Sequence, residues 1–404
     1  MVKYNTKFVT TKPNSPNFSD LEAAYNYKTT KDLKLAYLGF SLMQNKRVIA
    51  FLKWIASAVV RYRLPIKFIL KSTIFKIFCA GESYAEANSI VKELNQRKVS
   101  VVLDYVSESE SSVEGYEKTF SKVLENIKML SGNANKNYIS IKISGLEDHE
   151  FLKAISLLHM PLEVTQKERR RSLFSKIDSI CKAAKEAGIC VFIDAEERST
   201  QNIIDAIAEE MMSKYNNETA WVYNTLQMYL KDRILFLHQS ISNAKKGNYY
   251  AGIKLVRGAY MERERQLAAA KNLPSPVWES KSLTDIAFNG AIGFCLQNSD
   301  SVYTCVASHN LLSTQIAVEG IESIKNKFGV ERLHFSQLFG MCDFITFNLA
   351  AVGYATSKYL PFGELEKAIP YLIRRSDENT SIEGQVNDEV WRLKKEINRR
   401  KITK

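Results

Sequence analysis

Residues 250–260 read YAGIKLVRGAY, a run that is apolar at its start and turns polar at Lys254 and Arg257 near its C-terminal end. Seven further runs share that character: VSVVLDY (99–105), YISIKISGL (138–146), GICVFIDAEE (188–197), AWVYNTLQMY (220–229), VYTCVASHN (302–310), RLHFSQLFGM (332–341) and YATSKYLPFG (354–363). Helical segments such as 166–187, 202–217, 311–327 and 364–379 fall between or after them. Apolar runs alternating with helices read as parallel strands buried on both faces. Eight such units over roughly 280 residues predict a (β/α)8 barrel, whose usual size is about 250. An open doubly wound sheet is the competing architecture. The polar ends favour the barrel: Asp104, Lys142, Asp194, Gln227, Lys254, His309, Gln337 and Tyr359 all fall where a barrel carries its active-site rim.

Outside these runs the chain changes character. Residues 1–20 read as a disordered lead. From Asp20 to about Lys76 the pattern is helical, with Pro65 as a breaker. Ala36, Phe40 and Met43, then Ile49, Leu52, Ile55, Ala56 and Val59, recur near 3.6 residues and call for a partner surface. A helix over Ser83–Arg97 leads into the first strand. The expected organisation is an N-terminal lead and helical arm (1–80), a barrel (81–385) and a basic C-terminal tail (386–404). In the tail, Arg392, Lys394, Lys395, Arg399, Arg400, Lys401 and Lys404 surround an apolar edge of Val390, Leu393 and Ile397. That pattern suits a solvated amphipathic helix or contact with an anionic membrane surface.

Composition bounds the function. A hydrophobic fraction of 45% in 404 residues supports a full core. The net charge of +12 is spread along the chain and suits an acidic ligand, an anionic membrane or nothing in particular. Basic residues and aromatics are too diffuse for a nucleic-acid groove. Six cysteines without a CxxC pair read as reduced, buried thiols. The first residues show neither a secretory nor a mitochondrial signal. The longest apolar stretch, Val48 to Val60, is interrupted by Lys53 and is short of the roughly 20 residues that span a bilayer. The expected location is cytoplasmic, with the tail as a route to peripheral contact with the inner face of the membrane.

The rim has no His/Cys cluster with metal spacing. Asp194, Glu196 and Glu197 could hold a hard cation, with only Asp194 and Glu196 on one side of their strand, but no motif supports it and no metal is expected. GxSxG, Walker A and GxGxxG motifs are absent. After the last strand, Tyr371, Arg374, Arg375 and Glu378 share one helix face, while Leu365, Ala368, Ile369, Leu372 and Ser376 form a packing face. Pro370 kinks or restarts that helix. Paired guanidinium groups fork onto carboxylates, so Arg374 and Arg375 read as a small carboxylate clamp or as a solvated helix face.

The segments FIDAEE (192–197), TLQMYLKD (225–232), KLVRGAYMERER (254–265), SHN (308–310), QLFGM (337–341) and YLPFG…YLIRRSDEN (359–379), in this order, resemble the FAD-dependent proline dehydrogenases, monofunctional or as a domain of bifunctional proline-utilisation proteins. The resemblance covers roughly residues 80–385. It implies a distorted (β/α)8 barrel that oxidises L-proline to Δ1-pyrroline-5-carboxylate, with hydride passing from Cδ to flavin N5 and electrons leaving to a membrane quinone. By the same resemblance, Arg374 and Arg375 grip the proline carboxylate and Glu378 steadies them. Tyr371 and Tyr359 wall the ring, Leu338 is its apolar floor, and Lys142 and Asp194 sit beside the reacting nitrogen and flavin. For FAD it implies Gln227 as an edge donor and His309 beside the isoalloxazine or ribityl. Lys254 stands where many members have arginine, and an ammonium cannot fork. Val256, Gly258, Ala259 and Tyr260 would lie against the cofactor, with Lys281 and Thr284 toward its ADP half. Lys142 paired with Asp194 as an ordinary interior lysine is the plain structural alternative. Hydroxyproline dehydrogenase is the neighbouring activity, and Tyr359 argues against it. A metal-dependent barrel lyase or hydrolase and a non-catalytic scaffold are readings from other classes.

Overall fold

The structure is a computed structural model, described here for residues 15–45, 71–106, 112–133, 135–157, 161–369, 371–373 and 385–402. Eight parallel strands close into a barrel in sequence order: β1 Ser100–Tyr105, β2 Tyr138–Ile141, β3 Cys190–Ile193, β4 Val222–Gln227, β5 Ala251–Val256, β6 Val302–Ala307, β7 Leu333–Leu338 and β8 Ala355–Phe362. Each predicted run contains one of them, so the closed barrel replaces the open-sheet competitor. β1 pairs with β8 over Ser100↔Ser357 to Tyr105↔Phe362, which closes the ring and leaves neither strand with a free edge.

Register shows why the rim is polar. Paired residues of neighbouring parallel strands point to the same side, and alternate residues face inward. The pairs Asp104↔Ser140, Ser140↔Phe192, Phe192↔Tyr223 and Val102↔Tyr359 mark the interior positions. Thr225↔Lys254, Lys254↔Cys305 and Cys305↔His334 continue them. Two residues past Ser140 comes Lys142, two past Phe192 comes Asp194, and two past Thr225 comes Gln227. The inward period of two therefore runs from an aromatic plug straight into the mouth.

The plug is Tyr138, Phe192, Tyr223 and His334. The His334 ring stacks on Tyr138 with centroids 4.5 Å apart, and Phe192 meets Tyr223 edge-on at 5.1 Å. Burial, assisted by Lys136 and Lys254, pushes His334 down to about 3, so its ring stays neutral. Gly252 is required beside this plug, because a Cβ there would lie 2.2 Å from the Val222 carbonyl and 2.9 Å from the Tyr223 ring.

Helices clothe the barrel in chain order: α1 Leu21–Tyr25, α2 Thr30–Met43, α3 Lys76–Phe78, α4 Tyr84–Gln96, α5 Val113–Leu130, α6 His149–Ile155, α7 Val164–Glu186, α8 Arg198–Tyr215, α9 Arg233–Gly247, α10 Met261–Ala270, α11 Lys281–Gln297, α12 Leu311–Phe328, α13 Asp343–Ala351 and α14 Gln385–Ile402. Their starts follow local chemistry. Ser83 and Glu86 form a reciprocal capping box on α4, and Ser112 and Ser280 cap α5 and α11.

The two flanks differ from the sequence reading. The C-terminal helix α14 is not a solvated tail: Leu393 and Ile397 are buried, and its long contact is with α2, whose Leu33, Ala36, Phe40 and Met43 are buried at helical spacing. Arg400 donates to the Tyr25 and Lys28 carbonyls at 2.8 and 2.7 Å, satisfying backbone groups that α1 leaves at its end. The expected disordered lead is ordered at its end, where Asp20 caps α1 and Arg392 donates to the Phe18 carbonyl at 3.0 Å. Residues 1–14, the apolar face Ile49–Val59 and Pro65 lie outside the described residues.

Candidate active site

A cavity of about 570 Å³ opens at the C-terminal mouth of the barrel. That lies within the roughly 300–1,000 Å³ range of small-molecule and cofactor sites. Its wall contains Lys142, Asp194, Gln227, Lys254, Val256, Gly258, Ala259, Tyr260, Lys281, Thr284, His309, Leu338, Tyr359 and Tyr371, all of which the sequence reading had named. Arg374, Arg375 and Glu378 lie outside the described residues.

At the centre is a chain of alternating charges. Asp104 holds the Lys142 ammonium with both carboxylate oxygens at 3.0 Å. The Tyr359 hydroxyl lies 3.4 Å from Lys142 Nζ and donates to Asp194 Oδ2 at 2.8 Å. Lys254 Nζ donates to Asp194 Oδ1 at 2.6 Å. Lys142 is thus paired with Asp104, not with Asp194 as the plain alternative had it. Lys254, across β4, has taken Asp194, because the intervening residue on that layer is the short Thr225. Burial pushes Asp194 up, but the Lys254 and Lys142 ammonium groups outweigh it and hold the carboxyl below the ordinary aspartate range. Burial, followed by Asp104 and Asp194, pushes the Tyr359 phenol well above its ordinary value, so the hydroxyl remains a donor.

The surrounding loops are held by the backbone of the strand ends. Gln227 donates to the Glu196 carbonyl at 2.7 Å and accepts from the Ala259 N–H at 3.3 Å, bracing the β3 and β5 loops as well as lining the cavity. The Leu338 N–H donates to His309 Nε2 at 3.0 Å, which leaves the neutral ring's proton on Nδ1. Gly258 has φ +118°, and a Cβ on it would meet the Tyr229 ring at 2.0 Å. Lys281 pairs with Asp285 at 2.6 Å and Thr284 donates to the Ser280 carbonyl at 3.4 Å, so both have partners within α11 and its cap.

Several wall residues were missed as site residues. Thr225 was legible from its inward register, and Arg257 had been seen only as a strand-end cation. Arg257 is spent on structure: it donates to Asp285 at 2.7 Å and to Ser308 and Ser313 at 2.9 Å each, tying β5 to β6, α11 and α12. Phe344 and Asp388 reach the wall from α13 and α14, which no local pattern announces.

The acidic trio does not converge. All three carboxylates lie beyond the end of β3 at Ile193, and each finds different partners. Asp194 faces the cavity; Glu196 accepts from Ser144 N at 2.9 Å and from its hydroxyl; Glu197 pairs with Arg263 at 2.7 Å. Asp194 and Glu196 therefore have separate partners and do not share a cation site. Among the described residues no group of three His, Cys, Asp or Glu side chains is placed to hold a metal.

Comparisons with known proteins place the chain among relatives. The proline dehydrogenase family model matches residues 87–388. Proline dehydrogenase 1, mitochondrial, of Dictyostelium discoideum is 31% identical over 379 residues, spanning 83% of this chain and 66% of that protein. The carbapenem antibiotics biosynthesis protein CarD of Pectobacterium carotovorum is 28% identical over 398 residues, covering 95% of this chain and 99% of its own length. In fold, the chain is similar to the crystal structure of proline utilization A from Bdellovibrio bacteriovorus inactivated by N-propargylglycine, with a TM-score of 0.70, 22% identity, and coverage of 91% of this chain and 38% of that one. With a family model matched over most of its length, the chain belongs to the proline dehydrogenase family.

Proposed function

We propose that the protein is an FAD-dependent oxidoreductase that converts L-proline to Δ1-pyrroline-5-carboxylate at the barrel mouth. The observation that carries this reading is the joint placement of Lys142, Asp194, Lys254 and Tyr359 around one cavity, in a chain of this family. Fit for a large polar cofactor is supported by buried hydroxyls at the cavity wall: Thr225 Oγ and Tyr229 OH have no hydrogen-bond partner among the described residues. Such groups cost free energy until a ligand satisfies them. The cradle for FAD would be Gln227, Lys254, Val256, Gly258, Ala259, Tyr260 and His309, with Lys281 and Thr284 at its far end. Bound FAD supplies a two-electron acceptor for the hydride from the ring carbon next to nitrogen.

The chain's own residues then have distinct tasks. Hydride leaves that carbon only when the nitrogen lone pair is available, so the amine must be deprotonated. The Lys142 and Lys254 ammonium groups lining the cavity disfavour a third cation there. Arg374 and Arg375 hold the substrate carboxylate, with Glu378 as their counter-charge. Tyr359 and Tyr371 wall the ring above Leu338. Tyr359 is tethered by its bond to Asp194, so it cannot readily swing aside for a ring hydroxyl, which favours proline over hydroxyproline.

We further assign residues 81–385 as the catalytic barrel, residues 1–80 as an N-terminal lead and helical arm and residues 386–404 as a basic C-terminal segment. Electrons pass to a quinone in this reading. Any peripheral contact with an anionic membrane falls to the outward face of α14, where Lys394, Lys395 and Lys401 are exposed. Among the described residues no helix is long and apolar enough to cross a membrane.

The test is the absorption spectrum. Purified protein is expected to be yellow, and proline to bleach the band of the oxidised flavin. Colourless protein that takes up no FAD overturns the proposal.

A further inference from the structure

Asp104 lies at the C-terminal end of β1, and only 2% of its surface is exposed. It is not part of the cavity wall, unlike Lys142. Both of its oxygens accept from Lys142 Nζ at 3.0 Å. The register explains the meeting: Asp104 is opposite Ser140 on β2, and Lys142 follows two residues later on the same inward side. Among the described residues Lys142 is bonded to Asp104, and it also lines the cavity that Asp194 lines, where its charge acts on that carboxylate. Asp194 already holds Lys254 at 2.6 Å and Tyr359 at 2.8 Å. A carboxylate can accept from all three, as Asp343 does from Lys28, Lys358 and Tyr27, but Lys142 there would bring a second ammonium group beside Lys254 and the Tyr359 hydroxyl.

From this we infer that Asp104 is a positioning residue for the proposed reaction. It pins Lys142 on the β1–β2 side of the mouth, so that Asp194 is left to Lys254 and Tyr359. Without Asp104, Lys142 turns toward Asp194 and shares it with Lys254 and the Tyr359 hydroxyl. The ring wall and the cation pattern around the substrate nitrogen then change together. The substrate carboxylate is gripped from another element, so its binding is little altered. The inference rests on the reading of this mouth as the proline-oxidising site.

A double-mutant cycle tests it, using FAD-loaded protein and rapid mixing with proline under anaerobic conditions. Asp104→Asn keeps the shape and removes the counter-charge. It is expected to slow flavin bleaching at saturating proline about tenfold, as for loss of a charge-assisted bond, while KM changes less than about twofold. In a Lys142→Met background the same substitution is expected to change the rate by less than about twofold, because its effect passes through Lys142. An equal loss in both backgrounds, or an unchanged rate in Asp104→Asn alone, overturns the inference. If Asp104→Asn does not retain FAD, the Asp104→Asn/Lys142→Met protein decides, since it removes both charges; a rate tenfold below that of Lys142→Met overturns it. Failure of the functional reading is distinct: wild-type flavin that proline does not bleach removes both, whereas bleached wild type with no coupling removes this inference alone.

Discussion

Two buried ionic networks lie about the C-terminal end of the barrel, and they use the same residue types for opposite ends. The first lines the mouth with Lys142, Tyr359, Asp194 and Lys254, and Asp104 lies buried against Lys142. The second lies behind β7 and β8. There Asp343 takes Lys28 at 2.6 Å and Lys358 at 2.7 Å, and the Tyr27 hydroxyl donates to it at 2.7 Å. Beside it, Glu389 of α14 accepts from Tyr25 at 3.1 Å and from the Cys342 N–H at 2.5 Å. Lys358 and Tyr359 are neighbours on β8, so one faces outward into the sealed network and the other inward to the cavity. A one-residue step separates structure from chemistry. The difference teaches that a buried charge pair is not by itself a sign of catalysis: what marks the first network is a cavity on one side of it.

The sealed network joins four parts of the chain that are distant in sequence. Lys28 comes from the N-terminal arm, Asp343 from α13, Lys358 from β8 and Glu389 from the C-terminal helix. Burial pushes Asp343 up, but Lys28 and Lys358 outweigh it and hold the carboxyl well below the ordinary range. Burial and the neighbouring Asp343 charge push Glu389 the other way, above its ordinary value.

The largest expected effect comes from the sealed side. Asp343→Asn leaves two buried ammonium groups without their carboxylate and is expected to cost about 3–5 kcal/mol in denaturant unfolding. A cost below about 1 kcal/mol would break the contrast, because the second network would then be dispensable. The same residue sets an acid limit. Its folded-state value lies below the ordinary 3.8, so its contribution is complete above that pH and is lost as pH falls beneath it. Unfolding free energies between about pH 4 and about pH 2 should therefore fall less steeply in Asp343→Asn than in wild type.

The rim side is sharpened by variants that spare stability. If Arg375 grips the substrate carboxylate as proposed, Arg375→Met removes charge-assisted bonds worth about 1.5–3 kcal/mol. It is expected to raise KM for proline roughly ten- to hundredfold, with FAD absorption and the unfolding midpoint unchanged. Unchanged KM would remove Arg375 from the substrate clamp. The smallest effect is Tyr359→Phe, which keeps the ring and deletes the hydroxyl between Asp194 and Lys142. A loss of about 1 kcal/mol, or roughly fivefold in kcat/KM, is expected. A destabilisation as large as that of Asp343→Asn would mean that the mouth is built for stability after all.

The strand runs, their polar ends and the period-two facing of Asp104, Lys142, Asp194, Gln227, Lys254 and Tyr359 were legible in the letters, because alternation along a strand is a local property of the backbone. The buried stripe of α2 was legible for the same reason, at helical spacing. Motif order carried the family. Who pairs with whom was not legible. Lys142 meets Asp104 and Lys254 meets Asp194 because of the stagger with which eight strands close, a property of the whole ring. The C-terminal helix shows the same limit: its basic face and apolar edge suited water, lipid or protein equally. Only the folded chain, by bringing α2 and the Cys342 N–H within reach of Leu393 and Glu389, decided for protein. Local periodicity fixes which side a residue faces, while the partner it finds there depends on contacts hundreds of residues away.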